Sequence, residues 1–256
     1  GKMHTFTIRV DYKAATGDYT FTLAGESITA WENDDVSHDA TMKEYVVIES
    51  EAGKLDEALA AAKKDLTKVR NLKVTGKINS RDFAVMKFRM EQLSALNLRE
   101  VTIVASEEVS DLDGGETQYF ECKDLCIPRH ALQHKTSLTS LVLPDQLREI
   151  GTQAFYGCTS LSGSLNIPEG VTYIGVGAFA FCRNYAGSLT LPSTLEQIGE
   201  LVSGSGSHWD GPFLECNFVC ELKLPSKLRV IGVGAFRSCK GLYGELHIPE
   251  SVQQIG

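Results

Sequence analysis

Five Ile-Pro or Leu-Pro dipeptides divide the second half of this 256-residue chain at near-regular intervals. They end at Pro144, Pro168, Pro192, Pro225 and Pro249, so the steps are 24, 24, 33 and 24 residues. Each is followed by an apolar residue and then Ile-Gly, and in most units by Ala-Phe and a cysteine, as in Leu147, Ile150-Gly151, Ala154-Phe155 and Cys158. A fixed period of this length predicts a solenoid. One unit is too small to bury its own apolar face and must stack on its neighbours to make a core.

Within a unit the pattern assigns each residue a task. Leu165 and Ile167 alternate with polar neighbours, which is strand periodicity. Pro168 has no N–H to donate, so pairing ends there and the chain turns. Val171 and Ile174 return to the core, and Gly175 is expected to adopt a turn conformation closed to other residues. Ala178, Phe179 and Cys182 are expected to fill the far side on a short helical or extended piece. The strand pair recurs at Leu72/Val74, Leu96/Leu98, Leu141/Leu143, Leu189/Leu191, Leu222/Leu224 and Leu246/Ile248. With Leu165/Ile167 this predicts seven parallel rungs in one sheet on the inner face. Ile127-Pro128 through Leu132 reads as a degenerate unit.

Two insertions break the period: an acidic one between Leu98 and Ile127 (Ser106 to Glu121), and Ser203 to Gly211, which carries His208 and Trp209. Such insertions become loops on one face of a solenoid, often the binding face. The chain stops just after Ile255-Gly256, which reads as an interrupted repeat.

Residues 1–50 read as an N-terminal β-rich segment. Residues 4–12 and 19–24 alternate as strands around a turn at Ala15 to Asp18, and Tyr45–Ile48 is a third apolar run. Residues 51–256 read as the solenoid, with a helical N-terminal cap over about 51–95. There Leu55, Leu59, Ala62, Leu66 and Val69 form one helical stripe. A second helix is expected to start with Ser80 as its N-cap and to turn Phe83, Met86, Met90 and Leu93 inward.

The composition is ordinary for a globular chain, 43 % apolar and 23 % charged, with a formal net charge of −8. An acidic chain without a Lys/Arg cluster argues against a nucleic-acid partner. No apolar run approaches the roughly 20 residues that cross a bilayer. Gly1 to His4 lack the apolar stretch of a signal peptide and look like an expression remnant, so an export signal is expected to have been removed ahead of them.

Four of the seven cysteines, Cys158, Cys182, Cys216 and Cys239, occupy equivalent repeat positions. They are expected to form a column of buried thiols acting as small hydrophobes, with disulfides the alternative. The unit holding Cys216 looks to have lost its Ala-Phe spacing. Cys122, Cys126, His130 and His134 fall four apart, a zinc-like series, but Pro128 would break the helix that spacing needs. Asp111 to Glu116 hints at a calcium loop without the full ligand pattern and reads better as an acidic turn. No nucleophile elbow, phosphate loop or zinc-protease helix is present. No catalytic residue, metal or cofactor is therefore expected.

The outward strand positions form two columns. One holds Asn97, Val142, Asn166, Thr190, Lys223 and His247; the other holds Ser140, Ser164, Ser188, Glu221 and Glu245. Stacked strands lie about 4.8 Å apart, so each column predicts a continuous polar strip. Ser164, Asn166, Ser188, Thr190, Glu221, Lys223, Glu245 and His247 are the candidate binding surface, with His208 and Trp209 as loop anchors. The competing readings are a merely solvated face, and a Trp209 folded back over the break in the coil.

The series Leu147, Ile150-Gly151, Ala154-Phe155, Cys158, Leu161, followed by Leu165, Ile167-Pro168, resembles the BspA-type leucine-rich repeat. The resemblance covers about residues 72–256. It implies a leucine-rich repeat solenoid with parallel strands on the concave face and short helical or extended pieces on the convex face. It also implies a bacterial, secreted or cell-surface protein. On that footing the chain is expected to be a non-enzymatic adhesion module contacting a host matrix or surface protein, or a glycan. The alternative is a solenoid spacer in a larger surface protein, with no ligand of its own.

Overall fold

The computed structural model describes the strands 8–13, 18–23 and 26–31, and residues 44–106, 122–201 and 211–256. The chain divides into two compact units, Gly1–Ser37 and His38–Gly256. The first contains an antiparallel sheet of Ile8–Lys13, Asp18–Leu23 and Glu26–Trp31, with Ile8 opposite Leu23 and Lys13 opposite Asp18. The first two strands are those read from the alternation; the third lies at 26–31. The apolar run at 45–48 belongs to a strand of the other unit. Val46–Ser50 pairs parallel with Asn71–Ile78, setting Val46 beside Leu72, and so adds a rung ahead of those counted from the period.

The second unit is a parallel β-solenoid. Its concave ladder starts with Val46–Ser50, Asn71–Ile78, Ala95–Asn97 and Ser140–Val142, which bring Leu72, Leu96 and Leu141 into register. The single seven-rung sheet does not form, because the ladder breaks after Val142. It resumes in a separate pair, Gly163–Asn166 with Tyr185–Thr190. The break coincides with a one-residue change in spacing. Two residues separate the buried Leu93 from Leu96, and the buried Leu138 from Leu141; three separate Leu161 from Leu165, Tyr185 from Leu189 and Phe218 from Leu222. Within the resumed pair, whose members share the longer spacing, the register shifts between Gly163 opposite Tyr185 and Leu165 opposite Leu189.

A second ladder runs unbroken along the adjoining edge. Six two-residue strands, Cys126–Ile127, Glu149–Ile150, Tyr173–Ile174, Gln197–Ile198, Val230–Ile231 and Gln254–Ile255, pair in parallel. Each Pro carbonyl upstream closes the turn into this edge, as Pro168 O accepts from Val171 N at 3.3 Å. Of the glycines that follow these isoleucines, Gly199 is left-handed (φ 73°), whereas Gly151, Gly175 and Gly232 are required for a different reason. Gly175 is not left-handed. A Cβ there would lie 2.6 Å from Thr152 N and 2.8 Å from Gly151 C, so glycine is needed because the backbones of stacked coils nearly touch.

The convex side is made of tight turns whose N–H groups alternate between two directions. Gln153, Phe155 and Gly157 donate to Val176, Ala178 and Ala180 of the next coil at 2.8 Å each. Ala154, Tyr156 and Cys158 donate three residues back within their own coil. Every backbone donor in the stretch is thereby satisfied without a helix. Under these turns Phe155, Phe179, Phe213 and Phe236 stack with ring centroids 5.1, 5.8 and 5.4 Å apart. The unit with the Ser/Gly insertion keeps its place in this stack. The loop does displace the Ala-Phe position from Ile198-Gly199, but Pro212-Phe213 takes its place and Cys216 still follows Phe213 by three residues.

The cysteines form the expected column of free thiols. Cys158, Cys182, Cys216 and Cys239 donate Sγ–H to the carbonyls of Leu132, Phe155, Phe179 and Phe213 in the preceding coils, at 2.9–3.2 Å. Burial pushes the Cys158 thiol up to about 12 and that of Cys239 up to about 11. Lys135 occupies the equivalent position in the degenerate unit. Its buried ammonium makes the same backward bond, 2.6 Å to Met90 O, with a second to Lys87 O at 3.2 Å. Desolvation lowers its pKa.

Ahead of the coils, α1 spans only Leu55–Ala61. Lys63 turns left-handed (φ 55°) and ends it, while Val69 still reaches the core from the turns beyond. α2, Ser80–Ala84, is capped by Asn79, one residue before the expected Ser80, and runs into a π-helical turn at Val85–Arg89. Phe83, Met86, Met90 and Leu93 are buried as expected. The buried Asp82 carboxylate accepts from Gly53 N (2.7 Å), Leu55 N (2.9 Å) and Asn79 N (2.9 Å), tying the loop before α1 to the start of α2.

Candidate concave binding face

Alternation on the concave strands decides which side chains reach solvent. Leu165, Ile167 and Leu189 are at most 6 % exposed, whereas Asn166, Ser188 and Thr190 between them are exposed. Asn166 lies directly beside Thr190 in the paired segment. Ser164 is partly spent on the scaffold, since its Oγ accepts from Ser188 N at 3.0 Å and from Ser188 Oγ at 3.1 Å. That clasp closes over Gly187, where a Cβ would come within 2.5 Å of Ser164 Oγ. Ser140 is only 6 % exposed, so the Ser/Glu column is not a continuous exposed strip through that rung.

Lys73 belongs to the other column and was missed. It registers with Asn97 and pairs with Glu100. The 24-residue step from Lys73 to Asn97 is the signal that marks it.

Towards the last coils the face becomes charged. Glu221, Lys223, Glu245 and His247 are exposed and, with Leu222, Leu224 and Gly244, line a cleft of about 640 Å³. Glu245 and His247 approach to 3.7 Å on a fully solvated rim, a pair worth little in stability. His208 and Trp209 lie outside the described residues, as do Asp111 to Glu116.

The zinc-like series does not come together. Cys122 points its Sγ at Cys126 O (3.8 Å), and burial pushes its thiol up to about 12, away from the thiolate a metal needs. His130 and His134 sit at left-handed turn positions (φ 57° and 59°), and the His134 ring packs edge-on against Tyr156 at 5.3 Å. Among the described residues, no group of three or more His, Cys, Asp or Glu side chains could hold a metal ion. None of their helices is long and apolar enough to cross a membrane.

Comparison with known proteins gives a consistent family. The model for the BspA type leucine rich repeat region matches residues 126–256 in six copies. No curated protein matches. Among solved structures, the chain is similar to a leucine rich repeat protein of T. pallidum (21 % identity, TM-score 0.44, covering 83 % of this chain and 72 % of that one). It is also similar to a leucine rich cell surface protein of Faecalibacterium prausnitzii (20 %, TM-score 0.44, 94 % and 54 %). A third is a leucine-rich repeat protein of Bacteroides ovatus (16 %, TM-score 0.34, 100 % and 61 %). The chain thus spans about half to three quarters of the length of these proteins.

Proposed function

The chain belongs to the BspA-type leucine-rich repeat family, and from that premise we propose that it is a non-enzymatic binding module, secreted or displayed at a bacterial cell surface. Its concave face would recognise a protein or a glycan, such as a component of a host matrix. The observation that carries this reading is the exposed polar register of Asn166 and Thr190 above the buried Leu165 and Leu189, with Lys223 and His247 exposed at the equivalent repeat positions. Short hydroxyl and amide side chains on a rigid ladder leave room for a partner and offer it donors and acceptors without first having to be ordered. The turns and stacked rings on the convex side supply that rigidity.

Arrays of glycans and immobilised matrix proteins, probed with the full chain and with Lys223→Ala and Thr190→Ala, test the reading. The expected result is capture of at least one class, weakened about tenfold or more by these changes while the circular dichroism spectrum stays that of the parent. Uniformly empty arrays, or capture indifferent to both changes, would favour a solenoid spacer instead.

A further inference from the structure

We propose that Cys220 is a built-in break in the concave ladder: it stands where the coils on either side carry glycine, and its side chain takes the N–H of Leu189 that would otherwise pair with the next coil. Its bearing on binding rests on the reading above, for it names the residue that decides whether Thr190 and Lys223 lie side by side.

Counting two residues on from the buried Leu161, Tyr185 and Phe218 gives Gly163, Gly187 and Cys220, and the same count from Leu242 gives Gly244. Gly163–Asn166 and Tyr185–Thr190 pair, with Leu165 beside Leu189 and Asn166 beside Thr190. Past that register Ile167 N donates to Thr190 O at 3.0 Å. The next coil begins on the same course, since Val219 N donates to Gly187 O at 2.9 Å. By the pattern of the paired coils, Leu189 N would then donate to Glu221 O, and Leu191 N to Lys223 O. Neither bond forms. Leu189 N donates instead to Cys220 Sγ at 3.4 Å, and among the described residues no backbone hydrogen bond joins Leu189 or Leu191 to 221–224.

Two features of the side chain account for this. The first is its bulk. Gly187 is not left-handed, so its backbone angles do not require glycine. Its surroundings do: a Cβ there would lie 2.5 Å from Ser164 Oγ and 2.7 Å from Gly163 C, in the coil before. The paired arrangement therefore leaves no room for a side chain at this position, and Cys220 has one. The second feature is the sulfur. It gives the Leu189 N–H an acceptor in place of a carbonyl, so the donor is not left bare where the ladder stops. Glycine permits closure without enforcing it, because Gly244 stands in the same place while 222–224 and 245–248 stay unpaired. Thr190 and Lys223 are thus not fixed side by side as Asn166 and Thr190 are.

Site-resolved amide hydrogen exchange on the full chain, compared with Cys220→Gly and Cys220→Ala, tests it. Glycine removes both the bulk and the sulfur; alanine keeps the Cβ and removes only the sulfur. In Cys220→Gly the rung closes, and the Leu189 and Leu191 amides should exchange about tenfold more slowly. In Cys220→Ala the Leu189 amide should exchange about threefold faster, while that of Leu191 keeps the parent rate. Parent-like protection at Val230 and Ile231 shows that the lateral ladder is intact in each variant. Should the glycine variant lose that protection, the alanine variant decides alone. Unchanged Leu189 exchange in Cys220→Ala, or an intact Cys220→Gly protein in which neither amide slows, would overturn the proposal. The exchange readout needs no ligand, so empty glycan and matrix arrays would count against the binding reading and leave the break standing.

Discussion

The two long edges of each coil carry the same period and behave differently. Along the lateral edge five residues separate each proline from the isoleucine that pairs, from Pro144 to Ile150 through Pro249 to Ile255, and the ladder never breaks. Along the concave edge the step into the strand changes from Leu138/Leu141 to Leu161/Leu165, and pairing becomes intermittent. Constant spacing alone does not keep a ladder continuous, because Tyr185/Leu189, Phe218/Leu222 and Leu242/Leu246 share one spacing and the concave edge is still unpaired beyond Thr190. The fold uses its regular edge to hold the coils together and leaves the other free to carry bulges, polar columns and a cleft.

If that division holds, the most damaging changes lie away from the concave face. Phe179 is fully buried between the Phe155 and Phe213 rings. Phe179→Ala is expected to cost about 3–5 kcal/mol, the transfer free energy plus the cavity left in a packed stack. Urea denaturation of the parent and variant checks it. A loss below about 1 kcal/mol would mean the rings are not what couples the coils, and the contrast between the edges would fail.

The thiol column gives the same comparison a pH signature. An unfolded thiol ionises near 9, whereas burial holds Cys122 and Cys158 up to about 12 and Cys239 up to about 11, with Cys182 and Cys216 also raised. Between those limits the unfolded chain loses protons that the folded chain keeps, so stability is intact below pH 9 and falls as pH rises, by about 1.4 kcal/mol per pH unit for each such thiol. Lys87, lowered to about 8 by desolvation, and Lys135, also lowered, act in the opposite sense below about 10.5, where the unfolded amine keeps the proton. Five raised thiols outweigh two lowered amines, so the urea midpoint should fall from pH 9 to pH 11. Cys182→Ala should flatten that slope. A midpoint that holds or rises over this range would show that the column does not stay buried.

How much of this was legible in the sequence follows from the same spacing argument. Dipeptides such as Ile167-Pro168 and Ile174-Gly175 announced the coils, and alternation around Leu165 and Leu189 announced which side chains face out. The change in spacing at the break in the concave ladder was also written in the chain, as the extra residue between Leu161 and Leu165, but a period counted from proline to proline hides it. Gly175 misled because a glycine needed for close backbone approach looks, in sequence, like one needed for a left-handed turn. The stripe from Leu55 to Val69 overstated α1, since turns can return Val69 to the same core that a helix would. Lys135 follows Leu132 by three residues as Cys158 follows Phe155, so its place could be counted, but that its ammonium makes the cysteine's backward bond, to Met90 O, could not. The cleft lined by Glu221 and Glu245 depends on how two coils meet in space, which no residue pattern states directly.

The smallest expected effect is the sharpest test of the division. Thr190 and Asn166 lie side by side on the paired concave strands, with their side chains in solvent and the buried Leu165 and Leu189 beneath the backbone. Alanine at either position removes no buried area and leaves no unsatisfied group, so the stability change should stay within about 0.5 kcal/mol, with an unchanged denaturant slope. Ser188→Ala is the informative neighbour. It deletes only the hydroxyl bond to Ser164 and keeps the Ser188 N–H on that oxygen, so it should cost about 0.5–1.5 kcal/mol, between the surface and core changes. If Thr190→Ala or Asn166→Ala instead destabilised the chain as much as Phe179→Ala, the polar columns would be part of what holds the coils together, and a partner could not be their reason for being polar.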